Sequence, residues 1–434
     1  MRKIFQYILM AVAVVVTASC SNELDEALQP AGNGKLQFVV GDFPTFGEGT
    51  QTRAIGTQDE GKTAWVDGDK ILVHLYSQKF GDQAATLTFD AGSNTWESDD
   101  ASLSYLENET PTITAVYAPD CEIKSDETIG LLEGKKYGEE EYIPAKTSIR
   151  GHILDISFER GRTYSRLRIA AMPEATLTVT TEGFTPAGAT SEATGTYTLT
   201  ADEKGNAYIY GTFAEDATVS VKQGDITLKD YTFTAEKNPN GTEHNKSYAL
   251  DARPVIDGTL GGKTEAEESD ITALMEQLKA YVGNGITTII VTGETPAIID
   301  MDYYTNTAIG EAICRLSKEE SYDGKIDLIL PDVTEIVDQE FDGAQALNSI
   351  NLPKVTTVGD GAFYDCQYLE ELTFGSVVTA INHKLRAEFY KVGEKVEGCD
   401  LVLNREQVNA EADYQPNIET RTWWNTEWKS ITLK

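Results

Sequence analysis

Between Leu328 and Phe374 the chain repeats itself at a fixed step. Leu330-Pro331 returns as Leu352-Pro353, Phe341 as Phe363, Ala344 as Cys366, Leu347 as Leu369 and Ile350 as Leu372, every pair 22 residues apart. Apolar residues at fixed phases over about 20 to 29 residues mark a leucine-rich coil. Each turn of such a coil is too small to bury its own inner face and must stack on its neighbours. The step therefore dictates the architecture of this part of the chain.

Within a copy each phase has its own task. Asp327-Leu328-Ile329-Leu330-Pro331 alternates with period 2 and closes on a proline, which has no N–H to pair, so it reads as a strand. Its later copies are Ser349-Ile350-Asn351-Leu352-Pro353 and Glu371-Leu372-Thr373-Phe374. Stacking the turns builds a parallel sheet with Leu328, Leu330, Ile350, Leu352, Leu372 and Phe374 facing inward. The alternate residues form two outward ladders, Asp327/Ser349/Glu371 and Ile329/Asn351/Thr373, and these six are the candidate ligand-binding residues. Phe341 and Phe363 are expected to fill the middle of the coil from the return arm. Ala344 and Cys366 sit where only a small residue fits.

The run from Ala362 to Phe374, A-F-Y-D-C-Q-Y-L-E-E-L-T-F, resembles the BspA-type leucine-rich repeat of bacterial surface proteins, and the resemblance implies a role in adhesion. The earlier copy departs from it, with Glu340-Phe341-Asp342-Gly343-Ala344 where the Ala-Phe pair and the Cys would stand. After Phe374 the repeat is lost, but its strand signature returns in Asp400-Leu401-Val402-Leu403-Asn404 and in Ser430-Ile431-Thr432-Leu433, carrying the coil to the C-terminus. Trp423, Trp424 and Trp428 precede the last strand. They read either as a platform for sugars or as a terminal cap over the core, and the cap is favoured because every repeat array needs one.

At the other end, Arg2 and Lys3 lead into an apolar run from Ile4 to Val16 and then Thr17-Ala18-Ser19-Cys20. The apolar core is too short to span a bilayer, so residues 1–19 read as a signal peptide. Cys20 after small residues resembles a lipoprotein box, with Thr17 where such boxes place Leu. The resemblance implies that Cys20 is the lipidated N-terminus and that the membrane is a partner through its lipid. Residues 20–34 form an acidic tether whose Ser21-Asn22-Glu23-Leu24-Asp25-Glu26 resembles the signal for the outer face of the outer membrane. The 70 acidic against 36 basic residues give a net charge of -34, which repels phosphate backbones and excludes nucleic acid as a partner. Cys121, Cys314, Cys366 and Cys399 lack metal or disulfide spacing and read as buried thiols.

Between tether and coil lie many short alternating strands punctuated by Gly, Asn and Asp, which argues for two β-sandwiches in a row, at 35–150 and 151–252. Pro and Gly content marks 253–262 as a linker, and 263–434 is the coil with a cap at each end. Ile271, Leu274, Met275, Leu278 and Val282 lie on one face of a helix from Ser269, which is expected to close the coil's open end. Ile309, Ile313 and Leu316 mark a second helix. The fold class is thus multidomain, all-β followed by an α/β leucine-rich repeat coil.

Several pieces of the strand region resemble the fimbrillin family: Thr52-Arg53, then W-V-D-G-D-K-I-L-V from Trp65 to Val73, Ala115-Val116-Tyr117-Ala118-Pro119, Ser165-Arg166-Leu167-Arg168-Ile169 and Lys246-Ser247-Tyr248-Ala249-Leu250. The resemblance implies tandem transthyretin-like β-sandwiches forming a rigid stalk. In pilus-forming relatives it also implies cleavage after an Arg, so that a neighbouring fimbrial subunit's strand can replace the first strand. Arg53 is the matching position, and a plain surface-loop role is favoured for it because the coil is a large extra domain.

Nothing in the sequence organises catalysis. There is no nucleophile elbow, H-E-x-x-H, phosphate loop or EF-hand spacing, so no enzyme, cofactor or metal is expected. The reading is an outer-membrane lipoprotein adhesin that binds a protein or glycan on another surface through the repeat face. The alternatives are an accessory or tip subunit of a fimbria and a surface glycan-binding or glycan-processing protein.

Overall fold

The computed structural model describes residues 36–48, 62–99, 103–105, 109–159, 161–234, 236, 240–298, 306–320, 322–382 and 388–434. The signal segment, Cys20, the tether and Arg53 lie outside the described residues. The chain divides into two compact units, the first ending at Thr163 and the second running from Tyr164 to Lys434.

In the first unit, Lys70–Ser77 pairs antiparallel with Gly81–Asp90 and Thr112–Tyr117, and Thr95–Ser98 and Ile143–Pro144 complete the sheet. Alternation buries Ile71, Val73 and Leu75 on one face. A second, three-stranded sheet holds Gln37–Val40, Ile153–Ser157 and Lys146–Arg150. Trp65, the aromatic of the W-V-D-G-D run, makes edge contacts with Trp96 and Tyr117 of the first sheet and with Phe43 and Phe158, which follow strands of the second. The expected division at Arg150-Gly151 is displaced. Arg150 pairs with Ile153 across a hairpin whose turn carries Gly151 at φ 58°, so this glycine marks a turn within the unit, not its end.

The second unit begins with one continuous sheet in which Ser165–Ala170, Thr176–Pro186, Ala193–Thr200, Lys246–Asp251 and Ile226–Thr232 gather round the long strand Asn206–Gln223. Its core includes Leu167, Val179, Phe184, Phe213 and Phe233. The region is all-β, as the sequence indicates.

The coil follows. Its parallel sheet has seven strands: β1 (Val255–Asp257), β2 (Thr288–Thr292), β3 (Ile326–Ile329), β4 (Leu347–Leu352), β5 (Glu371–Phe374), β6 (Asp400–Leu403) and β7 (Ser430–Leu433), hydrogen-bonded in chain order. Strand β1 corrects the reading of 253–262 as a linker. Val255 pairs with Ile290, and Ile256 is 2% exposed in the coil's core, so this segment is the first rung of the sheet. It is only three residues long between Pro254 and Gly258, too short for alternation to show. Gly258 is needed because a Cβ there would lie 2.7 Å from Val291.

Two helices precede the repeats, α1 (Glu268–Gly283) and α2 (Ala308–Leu316). Helix α1 starts slightly ahead of the expected Ser269, because the Asp270 carboxylate accepts from the Glu267 N–H, 2.9 Å away, and fixes the first turn. Ile271, Leu274, Leu278 and Tyr281 of α1 join Ile309, Ile313 and Leu316 of α2 in the coil's core and close its first end. On this side the preceding sheet also leans on the coil. Ile226 and Leu228 pack on its core, and the Asp225 N–H donates to Asn284 Oδ1 at 2.8 Å.

Candidate binding surface

The strand registers align the two outward ladders. Asp327, Ser349 and Glu371 stand side by side and continue through Asp400 to Ser430; Ile329, Asn351 and Thr373 are continued in register by Val402, which is buried, and Thr432. Their inner neighbours Leu328, Ile350 and Leu372 are buried, which holds the alternate residues outward. Of the six predicted residues Glu371 is exposed and the other five are half-buried, since adjacent strands shade one another.

The polar groups of the first ladder are partly engaged with each other. Asp327 accepts from Ser349 Oγ at 2.7 Å and from Asn348 Nδ2 at 2.9 Å, and Asp400 repeats the motif by accepting from Ser430 Oγ at 2.7 Å. Thr373 Oγ1 donates to Glu371 at 3.0 Å. Asp327 and Asp400 are therefore oriented by these bonds. Next to them, Lys354 pairs with Asp332 at 2.9 Å, again across one 22-residue step.

The return arm is built on an aromatic spine. Phe341 stacks on Phe363 (5.6 Å between centroids), Phe363 on Phe389 (5.9 Å), and Phe389 lies 5.7 Å from Trp423. Each ring is at most 2% exposed. The repeat is thus not lost after Phe374: Phe389-Tyr390-Lys391 restates Phe363-Tyr364-Asp365 four residues late, and Tyr390 stacks on Tyr364 at 5.0 Å. Trp423 and Trp428 are buried against Phe389, so two of the three tryptophans cover the end of the core.

Glu311, Glu340, Asp360 and Glu388 are buried charged residues of the coil, and Glu340 is shifted most clearly. Its carboxylate accepts from the Thr307 N–H (2.9 Å) and the Thr307 hydroxyl at the start of α2, and burial pushes its pKa up to about 7. Cys314, Cys366 and Cys399 are free and buried, and burial pushes each thiol well above its ordinary value. Cys121 in the first unit is also free and is pushed up to about 11. Among the described residues no group of His, Cys, Asp and Glu could hold a metal ion, and no helix is long and apolar enough to cross a membrane.

A parallel coil with an outward strand face and a stacked aromatic return arm defines the leucine-rich repeat class. The family model described as the BspA type leucine-rich repeat region (six copies) matches residues 325–392, so this stretch is similar to that repeat region. Among solved structures, a candidate cell adhesion protein of Bacteroides fragilis NCTC 9343 is 11% identical with a TM-score of 0.28, over 50% of this chain and 92% of that one. A fimbrial protein of Bacteroides ovatus ATCC 8483 is 11% identical with a TM-score of 0.26, over 50% of this chain and 48% of that one. No curated protein matches. The fold rests on the strand pairings above and not on these likenesses.

Proposed function

We propose that this protein is a surface lipoprotein adhesin, held to the outer membrane by a lipid on Cys20, with the coil as its recognition element and the all-β region as its stalk. The observation that carries the reading is the register: five strands of the parallel face, β3 to β7, repeat oriented acceptors, hydroxyls and an amide at one phase after another. Such a face suits binding over an extended area rather than turnover in a pocket. The BspA-type repeat supports it, as does the fimbrillin-like motif order upstream. The test is a panel of matrix proteins and glycans probed with the full chain and with a triple variant, Asn351→Ala, Glu371→Ala and Thr373→Ala. Binding should fall by about tenfold or more, while each substitution shifts stability by no more than about 0.5 kcal/mol. Unchanged binding, or turnover of a glycan, overturns the reading.

One observation favours a second reading, a fimbrial accessory subunit. The strand Gln37–Val40 pairs only with Ile153–Ser157 among the described residues, and Val39 is 53% exposed. Cleavage after Arg53 would separate this strand from the rest of its unit and leave an edge for a neighbour's strand. Ladder-like bands on an unheated denaturing gel, with an N-terminus at Ala54, would favour it over the anchored adhesin. A fragment test of the coil should start at Arg253 or earlier, since residues 255–257 are its first strand.

A further inference from the structure

The last turn of the coil holds an aromatic ring where the backbone disfavours one. Trp424 (φ 48°) and Asn425 (φ 56°) form the tip of a hairpin in which Trp423 pairs with Thr426. Two successive left-handed residues make a type I′ turn, for which Asn-Gly is preferred and a bulky side chain is strained. Backbone strain of this kind gathers at ligand sites. Trp423 and Trp428 are buried in the core, whereas Trp424 packs against it only in part.

Trp424 stays half-buried instead. It lies parallel to Tyr414, 5.3 Å between centroids and 4° between planes, and its Nε1 donates to the buried Glu388 at 3.0 Å. It forms one wall of an open hollow of about 550 Å³, whose remaining lining includes Asp413, Gln415, Asn417 and Asn425. All four are exposed. Gln415 uses its Nε2 on Ala410 O, and Asn417 uses its Oδ1 to accept from the Thr420 N–H, leaving an acceptor on the first and a donor on the second. No hydrogen bond engages the side chains of Asp413 and Asn425 among the described residues.

An aromatic face flanked by unused amide donors, amide acceptors and one carboxylate matches the two sides of a pyranose ring: an apolar C–H face that stacks and equatorial hydroxyls that both donate and accept. Asp413 and the chain's net charge of -34 repel acidic sugars. We propose that this hollow binds a neutral glycan, with one sugar ring on Trp424 and its hydroxyls held by Asp413, Asn417 and Asn425. The site is separate from the strand ladders and does not depend on them.

The test uses the full chain titrated with mannohexaose, chitohexaose, xylohexaose and a heparin-derived hexasaccharide, followed by tryptophan fluorescence and calorimetry. At least one neutral oligosaccharide should bind and the heparin fragment should not. Trp424→Asn, which suits a left-handed turn, should weaken binding by about tenfold, and Asn425→Gly, which keeps the turn and removes only the amide, by roughly threefold. If the unfolding midpoint of Trp424→Asn drops, the Asn425→Gly variant decides. The proposal is overturned if no neutral oligosaccharide binds, if the heparin fragment binds as tightly, or if the deciding variant binds like the parent.

Discussion

The front and back of the coil reach one architecture from unequal sequences. In the front, Asp327, Ser349 and Glu371 are 22 residues apart; behind them Asp400 comes 29 residues later and Ser430 a further 30. Ladder registers nevertheless run unbroken through all five strands. What both halves keep is one inner aromatic followed two residues on by a left-handed residue: Phe341 and Gly343 (φ 73°), Phe363 and Asp365 (59°), Phe389 and Lys391 (58°), Trp423 and Asn425 (56°). The additional length between β6 and β7 is taken up by two 3₁₀ turns, Arg405–Asn409 and Ala412–Tyr414. The repeating unit of this coil is therefore the spine ring with its turn, and the step between units can stretch.

Removing a ring should therefore hurt equally in either half. Phe363→Ala and Phe389→Ala are each expected to cost about 3–5 kcal/mol, and their values from denaturant unfolding should agree within about 1 kcal/mol. A Phe389→Ala cost well below that of Phe363→Ala would break the comparison and make the back half a separate, weaker cluster.

The same contrast explains what the sequence made legible. The front ladders, the inner Leu and Ile positions and the Phe pair were readable because period 2 within the strand and 22 between strands coincide. Phe389 was hidden because its turn comes four residues late, its left-handed residue is a Lys where Gly or Asn would signal it, and the next spine ring is a Trp. Strand β1 was missed for a different reason: three residues between a Pro and a Gly carry no pattern and read as a linker. Gly151 misled because a glycine in a hairpin and a glycine between domains look alike. The ladders were readable as positions, but the hydrogen bonds that orient Asp327 and Asp400 depend on which residue lies across the sheet, and only the register reveals that.

Glu340 gives the front a dependence on pH. Burial raises its folded pKa to about 7, above its ordinary 4.5, so the folded state holds this proton more tightly than the unfolded chain. The stability it contributes is fully present below about pH 4.5 and is lost as pH rises through about 7, a change on the order of 3 kcal/mol. Glu340→Gln keeps an acceptor for Thr307 and should remove that decline. Glu140 in the first unit is raised to about 7 as well, also by burial, so the readout is the difference between parent and variant at pH 5 and pH 8. Parallel pH profiles for the two would show that Glu340 does not titrate in this window.

In the back half a buried side chain ties two stretches of backbone together. Gln407, 0% exposed, accepts from the Val378 N–H at 2.8 Å and donates to Val378 O and Tyr414 O, both at 3.0 Å. Gln407→Leu preserves the volume and strands one N–H and two carbonyls, so it should cost about 2 kcal/mol by denaturant unfolding. A neutral result would mean that the stretched turns are loose enough for water to replace the amide.

The smallest effect tests the turn itself. A left-handed residue with a side chain is strained by roughly 1–2 kcal/mol, and glycine relieves it at an entropic cost of about 0.5–1 kcal/mol. The ion pairs of Lys391 with Asp365 and Glu394 are long, 3.9 Å each at an exposed site, and contribute little. Lys391→Gly should therefore stabilise the back by about 0.5–1 kcal/mol. Gly343→Lys should destabilise the front by a similar amount, since no atom lies within 4 Å of a Cβ placed there and only the φ of 73° resists it. Mirror-image shifts in the two unfolding midpoints would establish that both halves use one turn. A destabilising Lys391→Gly would show instead that the Lys391 side chain, over the Tyr390 ring at 5.4 Å, holds the stretched turn through its contacts.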